Sequence, residues 1–315
     1  MKIVVTGALG HIGSKLIREL PISFPNVNLV MIDNLSTNRY FSLFNLPDLK
    51  NFNFIEGDVR LINLNKIFEK TDYVINLSAM TDAASSFERE NELENNNYNA
   101  SKKIAEACIE NGSKLITISS TSVYGVQDGE VSEDCSDKIL KPQSPYAKVK
   151  LKEENLIKDY QKKKILSSVI FRFGTIFGKS EGMRFHTAVN KFCWQAVMKQ
   201  ELTVWKTAYE QKRPYLDLND AINSIIFFIK NNSFDGNIYN VLTGNFSVKN
   251  VIDIIREFVP ILEVKFVENK IMNQLSYNVL SDKIKKKGFV FKGNLRNGIK
   301  ETIDLLKNSN NTLLK

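Results

Sequence analysis

The sequence contains few of the residues that hold metal ions and form disulfides. It has 3 cysteines and 2 histidines among 315 residues. Cys108, Cys135 and Cys193 are far apart and odd in number, so they predict neither a disulfide framework nor a metal site. With only His11 and His186 available, we expect no zinc or other bound metal. This use of cysteine is typical of a reducing compartment, and we expect a cytoplasmic protein.

Long apolar runs are also missing. No stretch reaches the roughly 20 residues that a helix needs to cross a bilayer, so we expect no membrane partner. Met1 is followed at once by a predicted strand, and we therefore expect no signal peptide. Hydrophobic residues make up 43% of the sequence and charged residues 25%, as in ordinary globular proteins. A chain of 315 residues is long enough for two lobes and a sizeable core.

The charge balance is basic, with 43 lysines and arginines against 35 aspartates and glutamates. Nucleic acid is one ligand that such a charge can serve. The lysines, however, are spread through predicted helices and the chain end, where they are typical of solvated faces. We therefore expect no nucleic-acid partner and assign a few arginines to a phosphate-bearing substrate.

The first 33 residues carry the strongest local pattern. Lys2–Thr6 is typical of a buried strand, and Ser14–Leu20 is predicted to be a helix. A second apolar run, Asn28–Ile32, ends at Asp33. Between the first strand and the helix lies a G-x-x-G-x-x-G turn with the glycines Gly7, Gly10 and Gly13. This order of elements predicts a dinucleotide site.

Each part of this pattern has a physical reason in such a site. Gly7 permits the tight turn, Gly10 lets the backbone approach a pyrophosphate, and Gly13 lets the helix pack against the strand. The free N–H groups at the helix N-terminus favour phosphate. The Asp33 carboxylate can accept both adenosine-ribose hydroxyls, and its charge would repel a 2′-phosphate. The predicted cofactor is therefore NAD, the alternative being an ordinary glycine turn in another α/β protein.

Strand-like and helix-like stretches alternate through the first half of the chain, which predicts a doubly wound parallel sheet of the Rossmann type. Ligands of such sheets lie at the carboxyl ends of the strands. We expect residues 1–175 to form the NAD-binding Rossmann domain, which also receives part of 206–240. Residues 176–315 are expected to form mainly a smaller, interleaved α/β lobe that binds the substrate. Residues 308–315 are predicted to be a frayed polar tail.

The element boundaries follow from apolar periodicity and capping residues. Ser144 is predicted to cap a helix with Pro145 at its first position, and Asp220 is predicted to cap a later helix. Trp194 and Trp205 are expected to pack the core of the smaller lobe. The later strands are predicted at Asn53–Ile55, Asp72–Ala79, Lys114–Ser119, Leu166–Phe173 and Leu202–Trp205. The later helices are predicted at Leu61–Phe68, Asn91–Glu110, Pro145–Lys162, Met183–Lys199, Asp220–Lys230, Val248–Phe258 and Asn297–Leu306.

A tyrosine and a lysine four residues apart, Tyr146 and Lys150, are predicted to share one face of a helix. A free tyrosine has a pKa of about 10, too high for a base at neutral pH. A nearby ammonium and a positively charged nicotinamide would lower that pKa. Tyr146 can then take a proton from a sugar hydroxyl while a hydride leaves the same carbon. Lys150 can also hydrogen-bond the nicotinamide ribose.

Several further motifs occur in the same order as in a known family. The chain resembles the extended short-chain dehydrogenases/reductases, and among them the nucleotide-sugar epimerases and dehydratases, over nearly its whole length. The resemblance rests on Thr6-Gly7-x-x-Gly10-x-x-Gly13, Asp33, Gly57-Asp58-Val59, Leu77-Ser78-Ala79, Ser119-Ser120, Val123-Tyr124-Gly125, Tyr146-x-x-x-Lys150 and Arg213-x-Tyr215-x-x-Leu218-x-Asp220.

The resemblance implies roles for individual residues. Ser120 is expected to hydrogen-bond the reacting oxygen, with Tyr146 as the base and Lys150 as the group that tunes it. The residues expected to bind NAD are Gly7, Gly10, His11, Ile12, Gly13, Asp33, Asn34, Asp58, Val59, Leu77, Ser78, Ala79, Asn97, Tyr146 and Lys150. The diphosphate sugar is expected to contact Ser120, Thr121, Ser122, Thr175, Arg184, Asn190 and Arg213. The Arg213 guanidinium suits the diphosphate because it can bind two oxygens at once.

Two departures from the family pattern bear on the activity. Dehydratases carry an acidic residue two places after the catalytic hydroxyl, where this chain has Ser122, so dehydration is not favoured. Epimerases usually carry an asparagine where this chain has Thr175, which weakens assignment to a UDP-hexose. Arg184 and His186 lie in an unusual stretch and are predicted either to meet the substrate or to cap a helix.

The sequence therefore predicts an enzyme that oxidises the 4-hydroxyl of a nucleotide-linked sugar, most simply as a 4-epimerase. A 4-dehydrogenase that releases a 4-keto UDP- or GDP-linked hexose or heptose uses the same three residues and is an alternative. A NAD-binding sensor without turnover is a second alternative. In dimers of the family the helices matching Asn91–Glu110 and Tyr146–Lys162 form a four-helix bundle, so we expect a homodimer.

Overall fold

The structure is a computed structural model that describes residues 1–47, 51–81, 87–127, 129–268 and 277–307. The predicted tail over 308–315 lies outside these residues. The strands are β1 (Lys2–Thr6), β2 (Asn28–Asp33), β3 (Phe52–Glu56), β4 (Tyr73–Asn76), β5 (Lys114–Ser120), β6 (Glu130–Val131), β7 (Ser168–Phe173), β8 (Thr175–Phe177), β9 (Leu202–Trp205), β10 (Lys212–Asp217), β11 (Ile238–Val241), β12 (Gly244–Ser247), β13 (Val264–Val267) and β14 (Asn278–Val279).

The helices connect these strands and cover both faces of the main sheet. None of the described helices combines the length and the apolar character needed to span a bilayer. They are α1 (His11–Ser23), α2 (Leu64–Phe68), α3 (Glu90–Asn111), α4 (Pro145–Lys162), α5 (Ala188–Val197), α6 (Leu218–Lys230), α7 (Val248–Phe258), α8 (Asp282–Lys286) and α9 (Leu295–Leu306).

Seven strands form one sheet in the order β11-β7-β5-β4-β1-β2-β3. Each neighbouring pair in this sheet is parallel. The predicted fold class, a doubly wound Rossmann-type sheet, is confirmed. Smaller sheets have the orders β12-β10-β8, β13-β9 and β14-β6.

Strand β1 shows how the main sheet is buried on both faces. Ile3 and Val5 belong to a core that also contains side chains of α1 and α6, whereas Val4 belongs to a core shared with α3 and α4. Successive side chains of a strand point to opposite faces, so both faces of β1 are covered. A strand covered on both faces is a continuous apolar run, which is what the sequence shows here.

A separate core lies among α5, α7, α9 and the strands β8, β9 and β10. The chain leaves this smaller lobe through α6, which packs on the main sheet, and then forms β11 at the sheet edge. There Ile238 pairs with Ile170 of β7. The two parts are therefore interleaved along the chain, while the division at residue 175 stays a prediction.

Asp217, rather than the predicted Asp220, caps α6. The Asp217 Oδ1 accepts the Asn219 N–H at 2.8 Å. Asp220 lies three residues further along the chain and is fully buried. Its carboxylate accepts hydrogen bonds from Thr243, Lys292 and Gly293. The prediction of Asp220 as a cap was wrong, since a second acid lies three residues earlier in the same run.

Helix α5 begins at Ala188, five residues later than predicted from Met183. The preceding residues are held against α1 instead. The Gly182 N–H donates to Ser14 Oγ at 2.9 Å, and residues 181–187 form turns, bends and irregular backbone instead of a helix. A contact with a distant part of the chain therefore overrides the local helical pattern.

Candidate active site

Two adjoining cavities lie at the carboxyl ends of the main-sheet strands, with volumes of about 520 and 420 Å³. The glycine-turn cavity is bordered by the loops after β1, β2 and β4. The interlobe cavity lies between the ends of β5 and β7 and the smaller lobe. The residues that line both cavities are His11, Ile12, Leu77, Ser78, Ala79, Thr81, Arg184 and His186.

The glycine-turn cavity brings together most residues predicted to bind NAD. Asn97 does not line it. The Asn97 side chain is buried behind the wall, where its Oδ1 accepts the Met80 N–H at 2.8 Å and its Nδ2 donates to the Met80 carbonyl at 2.9 Å. The predicted residues that line this cavity are Gly7, Gly10, His11, Ile12, Gly13, Asp33, Asn34, Asp58, Val59, Leu77, Ser78 and Ala79.

The glycine turn is packed tightly on one side and open on the other. A Cβ atom at Gly13 would lie 2.4 Å from the Gly7 carbonyl oxygen, whereas one at Gly10 would meet only that oxygen, at 3.4 Å. Helix α1 has no side-chain cap and no acidic residue in its first turn. Its first N–H groups are therefore available to an anionic ligand, and the cavity fits a dinucleotide diphosphate.

Two carboxylates stand at the ends of β2 and β3. Asp33 accepts the Leu9 N–H at Oδ2 and the Leu35 N–H at Oδ1, at 3.0 and 2.9 Å. Asp58 lies 2.6 Å from the Arg60 guanidinium, whose hydrogen bonds hold the pKa of the Asp58 carboxyl below its usual value. Arg60 and Arg39 also line the cavity and were not among the predicted residues. The sequence offers no motif that would have identified these two arginines.

The His11 side chain joins the two lobes. Its Nε2 lies 2.9 Å from the Gly178 carbonyl oxygen, and burial lowers the pKa of the ring to about 3. The ring is therefore neutral. Ser180 Oγ donates to the His11 carbonyl at 2.9 Å. The predicted contact of His11 with the pyrophosphate stays a prediction.

The predicted catalytic residues Ser120, Tyr146 and Lys150 all line the interlobe cavity. Ser120 ends β5, and its Oγ accepts the Ser122 N–H at 3.1 Å and the Ser122 hydroxyl at 2.9 Å. Ser144 caps α4 as predicted, because its Oγ accepts the Ala147 N–H. This cap places Tyr146 in the first turn, with Lys150 Nζ 6.0 Å from the centre of the Tyr146 ring.

Opposing influences act on the Tyr146 hydroxyl. Burial raises its pKa, the Lys150 ammonium lowers it, and the Glu153 carboxylate raises it again. Arg184 and a hydrogen bond with Ser120 also lower the Tyr146 pKa, but burial has the largest effect and the pKa lies above its ordinary value. Burial opposes the charge of Lys150, but Glu153, Tyr146 and Glu154 together outweigh burial and raise the Lys150 pKa, so the side chain stays an ammonium.

Of the predicted substrate residues, Ser120, Ser122, Thr175, Arg184 and Arg213 line the interlobe cavity. Within the described residues, Nε and Nη2 of Arg213 are buried without a hydrogen-bond partner. Two buried donors on a cation are well suited to an anionic ligand.

Thr121 and Asn190 lie behind the wall of the interlobe cavity. Thr121 Oγ1 donates to the Phe173 carbonyl at 3.3 Å. The Asn190 side chain accepts the Gly178 N–H at 3.2 Å and donates to the Arg184 carbonyl at 3.1 Å. Both side chains thus hold segments that line the cavity.

The interlobe cavity also contains residues that the sequence analysis did not place there. Trp205 lines it, whereas Trp194 packs against the core of the smaller lobe as expected. Trp194 packs against Phe185, with ring centres 5.5 Å apart. The lining includes Lys150, Lys191, Arg184 and Arg213 but no carboxylate within the described residues. The cavity is therefore basic.

The sequence model of the NAD dependent epimerase/dehydratase family matches residues 3–241. The chain belongs to this family. An uncharacterised UDP-glucose epimerase of Bacillus subtilis is 33% identical over 235 residues, which are 71% of this chain and 71% of that protein. The predicted family and the predicted cofactor NAD are confirmed.

Other members of the family are similar over nearly the whole chain. A trifunctional UDP-glucose 4,6-dehydratase/UDP-4-keto-6-deoxy-D-glucose 3,5-epimerase/UDP-4-keto-L-rhamnose-reductase of Arabidopsis thaliana is 28% identical over 96% of this chain, but the chain spans only 46% of that protein. The crystal structure of the UDP-glucuronic acid 4-epimerase from Bacillus cereus, in complex with UDP-glucuronic acid and NAD, has a TM-score of 0.90 and 26% identity. The match covers 98% of this chain and 100% of the chain of the Bacillus cereus enzyme.

In this epimerase/dehydratase-family chain a buried ion pair supports the wall that carries Ser120. Arg172 Nε and Nη2 donate to the two Glu154 oxygens at 2.9 and 2.7 Å. Ser119 Oγ donates to Glu154 at 2.5 Å, and the Arg172 guanidinium lies 4.8 Å from the centre of the Tyr124 ring. These contacts tie α4 to β5 and β7 directly behind Ser120.

Proposed function

We propose that this protein is a nucleotide-sugar 4-epimerase, which oxidises the 4-hydroxyl of the sugar and reduces the resulting ketone on its other face. The observation that carries the proposal is the grouping of Ser120, Tyr146 and Lys150 on one wall of a basic cavity that adjoins the glycine-turn cavity. A base, an oxyanion donor and an ammonium together can move a proton at a hydroxyl.

Each side chain has a separate role in this proposal. The Ser120 hydroxyl holds the reacting oxygen, and the Tyr146 hydroxyl removes its proton and later returns it. The Lys150 ammonium stabilises the Tyr146 phenolate. Arg213 binds the diphosphate through its free donors. Residues of the glycine-turn cavity, among them Gly10 and Asp33, would hold NAD, which would supply a reversible hydride acceptor for the sugar carbon.

The lining of the interlobe cavity favours epimerisation over dehydration. Loss of a 6-hydroxyl needs a general acid near that group. Ser122 occupies the position where dehydratases carry an acid, and within the described residues no carboxylate lines this cavity. The described part of this wall therefore offers no carboxylic acid that could protonate the leaving hydroxyl.

The basic lining also bears on the sugar. Glu153 offsets the charge of Lys150, which leaves Arg184, Lys191 and Arg213 as three cations facing a cavity that has to hold a diphosphate, whose charge two of them can balance. A sugar with a further negative charge, such as the glucuronic acid bound by the Bacillus cereus enzyme, suits the remainder. We therefore place UDP-glucuronic acid first among the candidate substrates.

The proposal is tested by incubating the NAD-loaded protein with UDP-glucuronic acid, UDP-glucose and UDP-N-acetylglucosamine in turn, and following C4 by proton NMR. A new C4 epimer is expected. The variant Tyr146→Phe should bind NAD but lose turnover. Tyr160→Phe is a matched control, because Tyr160 lies on the same helix and its hydroxyl contacts Glu106 away from the cavities.

Other results would contradict the proposal. Reduced cofactor that accumulates with a keto sugar would establish a 4-dehydrogenase. Bound NAD without a response to any sugar would indicate a sensor. Unchanged turnover in Tyr146→Phe would remove Tyr146 from the reaction.

A further inference from the structure

A buried carboxylate stands directly behind the catalytic lysine. Glu153 lies three residues after Lys150 on α4, and its Oε2 is 3.1 Å from Lys150 Nζ. The two side chains are only 2% and 6% exposed. Lys150 Nζ also donates to the Ile118 carbonyl at 3.1 Å. The ammonium is therefore held between β5 and α4, and its direction is fixed from behind.

The same carboxylate connects α4 with the sheet. Ser101 Oγ donates to Glu153 Oε2 at 2.6 Å, and Asn76 Nδ2 donates to Ser101 Oγ at 3.2 Å. Asn76 Oδ1 accepts the N–H of Ser78, which lines both cavities, at 3.2 Å. A continuous path of hydrogen bonds thus links Lys150 to the wall that the two cavities share.

Glu153 Oε1 is buried and has no hydrogen-bond partner within the described residues. A buried carboxylate is costly unless a cation accompanies it. Lys150 supplies that cation, so the two charges largely cancel in the low-dielectric interior. The cancellation matters for Tyr146, because an ammonium stabilises a nearby phenolate in proportion to its uncompensated charge.

We propose that Glu153 is a positioning residue that fixes the Lys150 ammonium and offsets its charge at the Tyr146 hydroxyl. The phenolate then forms only at higher pH than Lys150 alone would permit. Besides Lys150, the groups that act on Tyr146 are Glu153, Arg184 and Ser120. Lys150 is acted on by Glu153, Tyr146 and Glu154, and Glu153 by Lys150, Ser101 and Glu154. The inference rests on the proposed function only for the role of Tyr146 as the base.

The first test measures the titration of Tyr146 in the full chain as purified. Tyrosines labelled with ¹³C are followed by NMR against pH, and Tyr146→Phe assigns the signal. Glu153→Gln keeps the size of the side chain and removes its charge. It is expected to lower the pKa of Tyr146 by about one unit. An unmoved or raised Tyr146 pKa overturns the proposal, and this arm needs no substrate.

The second test is the pH–rate profile of the sugar reaction. Without Glu153 the phenolate forms at lower pH and Lys150 loses its proton at lower pH, so both limbs of the profile should move toward acid. A lower maximum with both limbs in place would indicate a merely structural role and overturns the proposal. Glu94→Gln is the matched control, since Glu94 on α3 forms an exposed ion pair with Lys152 on α4.

The role of Glu153 can be tested even if Glu153→Gln fails to fold. If Glu153→Gln does not accumulate as folded protein, Glu153→Asp keeps the charge but retracts it from Lys150. That variant should move the Tyr146 titration in the same direction by a smaller amount, and an unmoved titration overturns the proposal. Absence of turnover with every sugar would contradict the proposed function, while the NMR titration would still decide the role of Glu153.

Discussion

Replacing Arg213 by methionine is expected to remove most of the affinity for a nucleoside diphosphate without unfolding the protein. Arg213 lies on β10, and its Nε and Nη2 are buried in the interlobe cavity without a partner within the described residues. Methionine has a similar length and fills the same space. Because no hydrogen bond of these two donors to the protein is lost, stability should change little.

The magnitude follows from the two free donors. A hydrogen bond to a charged group contributes roughly 1.5–3 kcal/mol net. Two such bonds to one diphosphate give about 3 kcal/mol at the lower figure, which corresponds to an increase in Kd of roughly 100-fold. Arg213→Lys keeps the charge but cannot bind two oxygens in the planar geometry of a guanidinium, so we expect an increase of about 10-fold.

The assay is calorimetric titration of the protein with UDP, or with GDP if that ligand binds the wild type more tightly. Lys212→Met is the matched control, because Lys212 is the neighbouring cation on the same strand and is exposed. It should leave Kd within about twofold of the wild type, since surface charges contribute little. An Arg213→Met protein that binds the diphosphate like the wild type would refute the assignment of this arginine.

Two further predictions concern the cofactor turn and pH. Gly13→Ala places a Cβ atom 2.4 Å from the Gly7 carbonyl oxygen and should cost roughly 1–3 kcal/mol of stability, whereas Gly10→Ala should fold normally and lose NAD affinity. Thermal unfolding measures the first effect and NAD titration the second. Equal losses of stability in the two variants would contradict the prediction. Burial raises the pKa of the Asp217 carboxyl from 3.8 to about 6, so folding stability falls by up to about 3 kcal/mol as pH rises from about 4 to about 7. Asp217→Asn keeps a capping side chain and should flatten that slope in urea unfolding; a stability difference from the wild type that does not change with pH would count against it.

Elements with strong local signals were predictable from the sequence. Strand β1 matches its prediction at Lys2–Thr6, because a β-branched run ends at a glycine turn. Helix α4 matches at Pro145–Lys162, because Ser144 and Pro145 mark its start. The start of helix α5 could not be predicted as well, since the segment before it is held by contacts with α1 that the local sequence does not reveal.

The site was predictable where a residue's position in a motif also fixes the direction of its side chain. Ser120, Tyr146 and Lys150 line the interlobe cavity. The end of β5 fixes the direction of the Ser120 side chain, and one face of α4 fixes the directions of the other two. Asn97 does not line the glycine-turn cavity, and Asn190 does not line the interlobe cavity. Each lies on a helix beside the cavity wall, and composition does not tell whether an amide turns to the ligand or to a backbone carbonyl.

The middle of α4 shows most plainly that the direction of a side chain depends on the fold. The run Lys150-Leu151-Lys152-Glu153-Glu154, judged by its charge, is typical of a solvated helix face. Yet Glu153 and Glu154 are both buried, since successive helical residues point about 100° apart and each carboxylate meets a different cation. One partner, Lys150, is on the same helix, and the other is on β7.

The charges of the two carboxylates and the two cations sum to zero, and this neutrality permits their burial. Removing any one of them would leave an uncompensated charge at a cost of about 3–5 kcal/mol. Lys150, the lysine proposed to act in catalysis, therefore cannot be considered apart from its counterion, because the charge that reaches Tyr146 is that of Lys150 and Glu153 together.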